Sequence, residues 1–228
     1  MAFSYEELAE IRHYIHQHPE LSGQEYQTTA FLKERLEELG IRILESRLKT
    51  GLIAEIGSGQ PVVALRADID ALPILEQTNL PYQSQNPGVM HACGHDIHTA
   101  MLLTAARMLK EDEDHLHGTV KLMFQSAEEI FKGANDMIEH GILDHPRPDA
   151  AMAYHMMIGK NQVGTYMYNA GGIMMNSVDE FKITIHGKGT HGAYPHQGID
   201  PINIGVHIHL ALQELISREA NPQDICTL

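Results

Sequence analysis

Three imidazoles, a thiol and a carboxylate fall within Met90-His91-Ala92-Cys93-Gly94-His95-Asp96-Ile97-His98, directly ahead of an apolar run at helical spacing. Thiolate, neutral imidazole and carboxylate are the ligands of divalent transition metals. On extended backbone Cys93 and His95, two apart, point to the same side, so one ion can touch both. Gly94 removes a side chain where backbone and ion crowd, and Asp96 is placed to cap the following helix or to orient an imidazole. The competing reading is a buried small hydrophobe at Cys93 with the histidines as polar helix-start residues. The density of ligand-type side chains favours half of a metal site.

A chain of 228 residues, 43% hydrophobic and 20% charged, has room for one large domain or one domain plus part of another. Its formal charge of -14 argues against nucleic acid or an anionic membrane as partner, since either needs a basic face. The acidic start runs straight into a helical pattern, unlike a signal peptide, and no apolar run is long enough to span a bilayer. With Cys93 and Cys226 alone there is no disulfide framework, so a reducing cytoplasm is the expected setting.

Ser4 with Glu7 forms a capping box ahead of Leu8, Ile11, Tyr14 and Ile15, and Pro19 stops that helix. A second amphipathic helix is expected over 24–39, ending at Gly40. Strand-like runs at 51–56 and 61–67 are joined by a connection of hairpin length. The second run ends in Arg66-Ala67-Asp68-Ile69-Asp70, and charge arriving abruptly after Val62-Val63-Ala64-Leu65 marks the carboxyl end of a buried strand. Asp68 reads equally as a site carboxylate and as an ordinary turn residue.

Beyond the metal stretch, a helix over 99–110 and a buried strand over 119–124 lead to Ala127-Glu128-Glu129. Adjacent carboxylates at a strand end can divide metal binding and general-base work between them. A short helix over 134–140 closes at Gly141, and a strand over 149–154 ends at His155, which reads equally as a ligand and as a surface histidine. Strands alternating with helices predict an α/β domain with its site along one sheet edge. Alternation over 178–186 predicts a half-buried strand of a second domain, with a boundary near Asn176. Asp200-Pro201 opens a helix running to about Arg218, and 225–228 resembles the start of another strand.

Five stretches together resemble the M20 metallopeptidase family, within it the amidohydrolase branch that cleaves N-acyl amino acids. They are His16-Gln17-His18-Pro19-Glu20-Leu21, Arg66 through Pro73, Met90 through His98, Ala127-Glu128-Glu129, and Gly187-Lys188-Gly189-Thr190-His191. The resemblance implies an α/β catalytic domain over 1–176 and an inserted α+β, ferredoxin-like lid over 177–228 that also forms a homodimer, or a tetramer built from it. It implies two divalent ions per subunit, zinc or manganese, with nickel or cobalt as alternatives. Cys93 would bridge them, with His95, Glu129 and His155 as further ligands. Glu128 would be the general base, Asp68 would hold a ligand imidazole, and the lid's His191 would reach the partner subunit's site. Family chains continue past this point to a final histidine ligand, so both domains are expected to be incomplete here. Ser126, Tyr154 and Thr190 depart from the family pattern without removing a ligand or the base.

The expected substrate is a small N-acyl amino acid. Dipeptidase or aminopeptidase activity, a non-catalytic metal-binding homologue, and thiol catalysis by Cys93 with a neighbouring histidine are the rival readings. Activity surviving chelation separates the thiol mechanism from the metal one.

Overall fold

The computed structural model describes residues 4–159, 162–168, 170–171, 175, 177–221, 223 and 226–228. The boundary expected near Asn176 and the strand start at Ile225 lie outside the described residues. Two compact units form, Met1–Lys160 and Asn161–Leu228.

In the first unit α1 (Tyr5–Gln17) starts as the capping box requires, with Ser4 Oγ accepting the Glu7 N–H at 3.2 Å. α2 (Tyr26–Glu38) follows, then β1 (Arg42–Ile43), β2 (Leu52–Ser58) and β3 (Val62–Asp68). α3 (His95–Glu111) crosses to β4 (Gly118–Gln125), and α4 (Gly133–Glu139) precedes β5 (Ala150–Ala153). The sheet order is β1-β2-β4-β3-β5. β3 runs parallel to both β4 and β5, whereas β2 is antiparallel to β4.

The short connection between β2 and β3 therefore does not close a hairpin, contrary to the expectation from its length. β4 lies between the two strands, and Gly59-Gln60-Pro61 bridges over its first residues. Thr119 donates its N–H to Pro61 O at 2.9 Å and its hydroxyl to Gly59 O at 2.8 Å. Gly118 has φ +117, and a Cβ there would lie 2.2 Å from Pro61 O, so only glycine admits this close crossing.

The parity of β4 divides the core. Leu122 and Phe124 face a cluster with Ile15, Phe31, Leu32, Leu36, Leu102, Leu103 and Ala106 from α1, α2 and α3. Met123 faces the other way, with Ile53, Met137 and Ile142. On that second face Lys121 is fully buried, its Nζ donating to Ile142 O at 2.6 Å and Pro146 O at 2.7 Å. Cover on both faces explains the near-continuous apolar sequences of β2 and β4.

In the second unit α5 (Pro201–Glu214) is capped by Asp200, which accepts N–H groups from Ile202 and Asn203. Five residues of π-helix, Leu215–Glu219, continue it. Residues 178–186 form no ladder among the described residues, although their alternation predicts a strand. A strand exists only where another chain segment pairs with it, and the pairing found here is a single bridge between Lys188 and Ile199. Phe181 accordingly stays exposed. Among the described residues no helix is long and apolar enough to cross a membrane.

Candidate metal centre

Because β3, β4 and β5 are parallel, their carboxyl ends share one edge of the sheet, where open α/β sheets place ligands. Asp68 is the last residue of β3, Glu128 and Glu129 follow β4, and His155 follows β5. α3 opens at His95 rather than at residue 99, and Gly94 before it is left-handed at φ +90. Cys93 and His95 thus meet through a turn into a helix, not along extended backbone. Among the described residues three overlapping donor groups result: Cys93, His95 and His155; His95, Glu128 and Glu129; Asp68, His95 and His98.

His95 is common to all three and almost wholly buried. Its Nδ1 lies 2.9 Å from Asp70 O and 3.2 Å from Asp70 Oδ1, both acceptors, so Nδ1 carries the proton and Nε2 presents a lone pair. That Nε2 has no hydrogen-bond partner, nor does the buried Oε1 of Glu129. Around Nε2 stand Asp68 Oδ2 at 3.6 Å, Glu129 Oε1 at 3.8 Å and Glu128 Oε2 at 3.9 Å. These are acceptors facing an acceptor, too far apart to bond directly. Donors about 2.0–2.2 Å from one ion are separated by up to roughly 4 Å, so a divalent cation fits this gap and satisfies the orphaned atoms.

Cys93 Sγ is 3.5 Å from His155 Nε2. Burial, then the charges of Glu129, Glu128 and Asp68, push this thiol up to about 12. A nucleophilic cysteine needs a depressed pKa and an electropositive setting, so thiol catalysis is disfavoured. A cation bound here would reverse that electrostatic balance and favour the thiolate of Cys93.

Two assignments depend on tertiary contacts that spacing does not reveal. The imidazole Asp68 holds is that of His98, with Oδ1 to Nδ1 at 2.6 Å, while Arg66 binds its other oxygen at 2.7 Å. Burial raises the Asp68 pKa, but the His98 hydrogen bond and the Arg66 charge outweigh it and bring the group to about 2. The ring of His95 is held instead by Asp70, whose Oδ2 also accepts the Glu129 N–H at 3.0 Å and the Ser22 hydroxyl at 2.7 Å. Asp96 makes no helix cap; its Oδ2 takes Arg12 Nε at 2.7 Å and His16 Nδ1 at 2.8 Å.

The turn carrying the carboxylate pair is strained and buttressed. Ala127 and Phe131 have φ +52 and +56, a region that costs a non-glycine residue about 1–3 kcal/mol. The fully buried Glu25 accepts the Ala127 N–H at 2.8 Å and the Gly23 N–H at 2.9 Å, fixing the entry to the turn. Burial, followed by the Asp68 charge, raises the pKa of Glu128.

Behind the site, the His16 imidazole joins Asp96 to Glu76 Oε1 at 3.2 Å, with Arg12, His13, His91 and Tyr82 packed around it. The Asp96 hydrogen bond raises the pKa of His16 against burial, with Glu76 adding to it. Asp96 and Glu76 are lowered by their hydrogen bonds despite burial. His16 therefore stabilises the fold fully below its unfolded pKa near 6.5 and loses that contribution as pH rises through its higher folded value. The two carboxylates act oppositely, losing theirs as pH falls through their lowered values. Stability of the metal-free protein is expected to fall as pH rises above the ordinary histidine pKa of about 6.5, and His16→Gln should flatten that fall in urea unfolding. An equal fall in both proteins would show that His16 stays neutral.

His191 lies in the second unit on an exposed turn, where its Nδ1 accepts the Ala193 N–H at 3.1 Å.

Fold and site together define a metal-binding α/β protein whose donors gather at the ends of parallel strands. The profile of Peptidase family M20/M25/M40 matches residues 64–220, and the chain belongs to that family. It is 49% identical over 226 residues to an N-acetyl-L-cysteine deacetylase of Bacillus subtilis (strain 168), covering 95% of this chain and 51% of that protein. An N-acyl-L-amino acid amidohydrolase of Geobacillus stearothermophilus is 43% identical over 216 residues, covering 92% and 57%. A crystal structure of a dinuclear metal binding peptidase of the M20 family from Bacillus subtilis superposes with TM-score 0.61 at 51% identity, covering 63% of this chain and 40% of that one. The chain spans about half the length of the curated relatives it matches.

Proposed function

We propose that this chain belongs to a metal-dependent amidohydrolase that cleaves the amide bond of small N-acyl amino acids. The observation that carries the reading is the lone pair of His95 Nε2, buried and unpartnered among three carboxylate oxygens at 3.6 to 3.9 Å. Cys93, His95, Glu129 and His155 would hold two divalent ions. Zinc and manganese suit this mixed donor set, as do nickel and cobalt. When bound, such ions supply Lewis acidity that polarises an amide carbonyl and acidifies water.

The remaining work falls to the chain's own side chains. Glu128, beside the ligands and about a third exposed, takes a proton from the attacking water and returns it to the departing amine. Asp68 and Asp70 hold the surrounding imidazoles. His191 donates to the developing oxyanion of the partner subunit's substrate, a contribution of about 2.7–4 kcal/mol by comparison with other oxyanion donors. The lid over 177–228 would pair two subunits. Ile202, Val206 and Leu210, at helical spacing and exposed on α5, support that pairing. Free thiols at Cys93 and Cys226 suit a cytoplasmic setting.

The test is hydrolysis of a panel of N-acetyl, N-benzoyl and longer N-acyl amino acids, with dipeptides alongside, by the full-length protein before and after chelation. Turnover of acyl amino acids, lost on chelation and restored by zinc or manganese, is the expected result. Turnover of dipeptides alone would favour the peptidase reading, and turnover that survives chelation would refute the metal mechanism.

A further inference from the structure

His98 belongs to one of the three donor groups, yet its nitrogens leave nothing for an ion. Nδ1 lies 2.6 Å from Asp68 Oδ1, an acceptor, and Nε2 lies 2.8 Å from the backbone N–H of Met156. A ring that donates at Nδ1 and accepts at Nε2 is the neutral Nδ1–H tautomer with both positions satisfied. His98 is buried, and Thr99 Oγ1 ties the same helical turn to Asp68 O at 2.9 Å.

Met156 follows His155, and the two residues are fastened from several sides. The His155 ring turns its Nδ1 to Met156 O at 2.7 Å, which leaves Nε2 facing Cys93 Sγ. The peptide it leans on is the segment His98 grips through the Met156 N–H. The His98 and His155 rings meet edge to face with centroids 4.7 Å apart. A Cβ built on Gly94 would lie 3.3 Å from Met156 Cβ, so the Met156 side chain already rests against the Gly94 backbone. β5 itself is exposed at every residue, and so is His155. A ligand on so exposed an edge needs an anchor in the interior.

We infer that His98 is a positioning residue: held by Asp68, it grips the Met156 peptide and so sets where the His155 ring meets the ion. This rests on the reading of His155 as a ligand. Groups behind metal ligands typically alter affinity 10–100-fold when changed.

Two substitutions divide the two bonds. In His98→Gln the side-chain carbonyl reaches the position of Nε2 and can still accept the Met156 N–H. In His98→Asn the shorter amide can donate to Asp68, as Nδ1–H does, but falls short of Met156. Zinc affinity of the full-length protein, measured by competition with a chromophoric chelator, is expected to stay near wild type for Gln and to weaken about 10–100-fold for Asn. Equal affinities in the two variants would overturn the inference while leaving the metal site standing. A wild-type protein that binds no zinc would instead remove the reading beneath it. Nitrogen-15 NMR of His98 in the wild type needs no variant to fold: the Nδ1–H pattern supports the inference, and an Nε2–H or imidazolium pattern overturns it.

Discussion

Replacing Glu128 by glutamine is expected to lower kcat on an N-acyl amino acid by about 10²–10⁴-fold, the usual contribution of a positioned general base, with bound metal unchanged. Both Glu128 and Glu129 bring an oxygen within 3.9 Å of His95 Nε2, so distance alone does not assign their roles. Their surroundings support the proposed division of roles. Glu129 has a buried, orphaned Oε1 and a backbone N–H held by Asp70, the setting of a fixed ligand. Glu128 is more exposed, with its pKa raised by burial and then by the charge of Asp68, the setting of a base that must exchange protons with substrate and solvent. Turnover and metal content measured on the same preparations separate the two roles. If Glu128→Gln loses metal together with activity, the assignments are exchanged; if it keeps full activity, the base is another group.

The donor-type side chains that gather at this candidate site were legible in the sequence because they depend on local facts. Cys93 and His95 announce themselves by density, and Glu128, Glu129 and His155 by following apolar runs short enough to be buried strands. Strands that prove parallel necessarily put those residues on one edge. What spacing could not show is which carboxylate meets which ring. Asp68 and Asp70 sit two apart at the end of one strand, and their partners His98 and His95 sit three apart in the first turn of one helix. Only the way α3 packs across the sheet decides the pairing. The same limit explains the misread hairpin: four residues can join neighbouring strands or pass over the end of another, and the deciding strand, β4, arrives some fifty residues later. At 178–186 the alternation is present but no partner strand is found among the described residues, and a strand is a property of a pair.

Asp70 is where the second large effect is expected, because one carboxylate there orients two of the proposed ligands, His95 and Glu129. Its Oδ1 and main-chain oxygen hold the His95 ring, while Oδ2 accepts from the Glu129 backbone and from Ser22. Every side-chain contact is a donor pointing at Asp70. Asparagine is nearly the same size but must turn its NH₂ toward one of those sets. Facing His95, it sets donor against donor and favours the tautomer that closes Nε2 to metal. Facing Glu129, it pushes the ligand-bearing turn away. An unsatisfied buried donor costs about 1–3 kcal/mol, and disturbance behind a metal ligand weakens affinity about 10–100-fold. Burial would raise the Asp70 pKa, but the His95, Ser22 and Glu129 hydrogen bonds lower it overall. Its stabilising contribution is therefore present above the ordinary carboxylate pKa and is lost as pH falls through the lowered value. Asp70→Asn should bind zinc about 10–100-fold more weakly than wild type in chelator competition, and it should lack this part of the acid-induced loss of stability. Unchanged zinc affinity in a folded Asp70→Asn protein would mean that packing alone holds His95 in place.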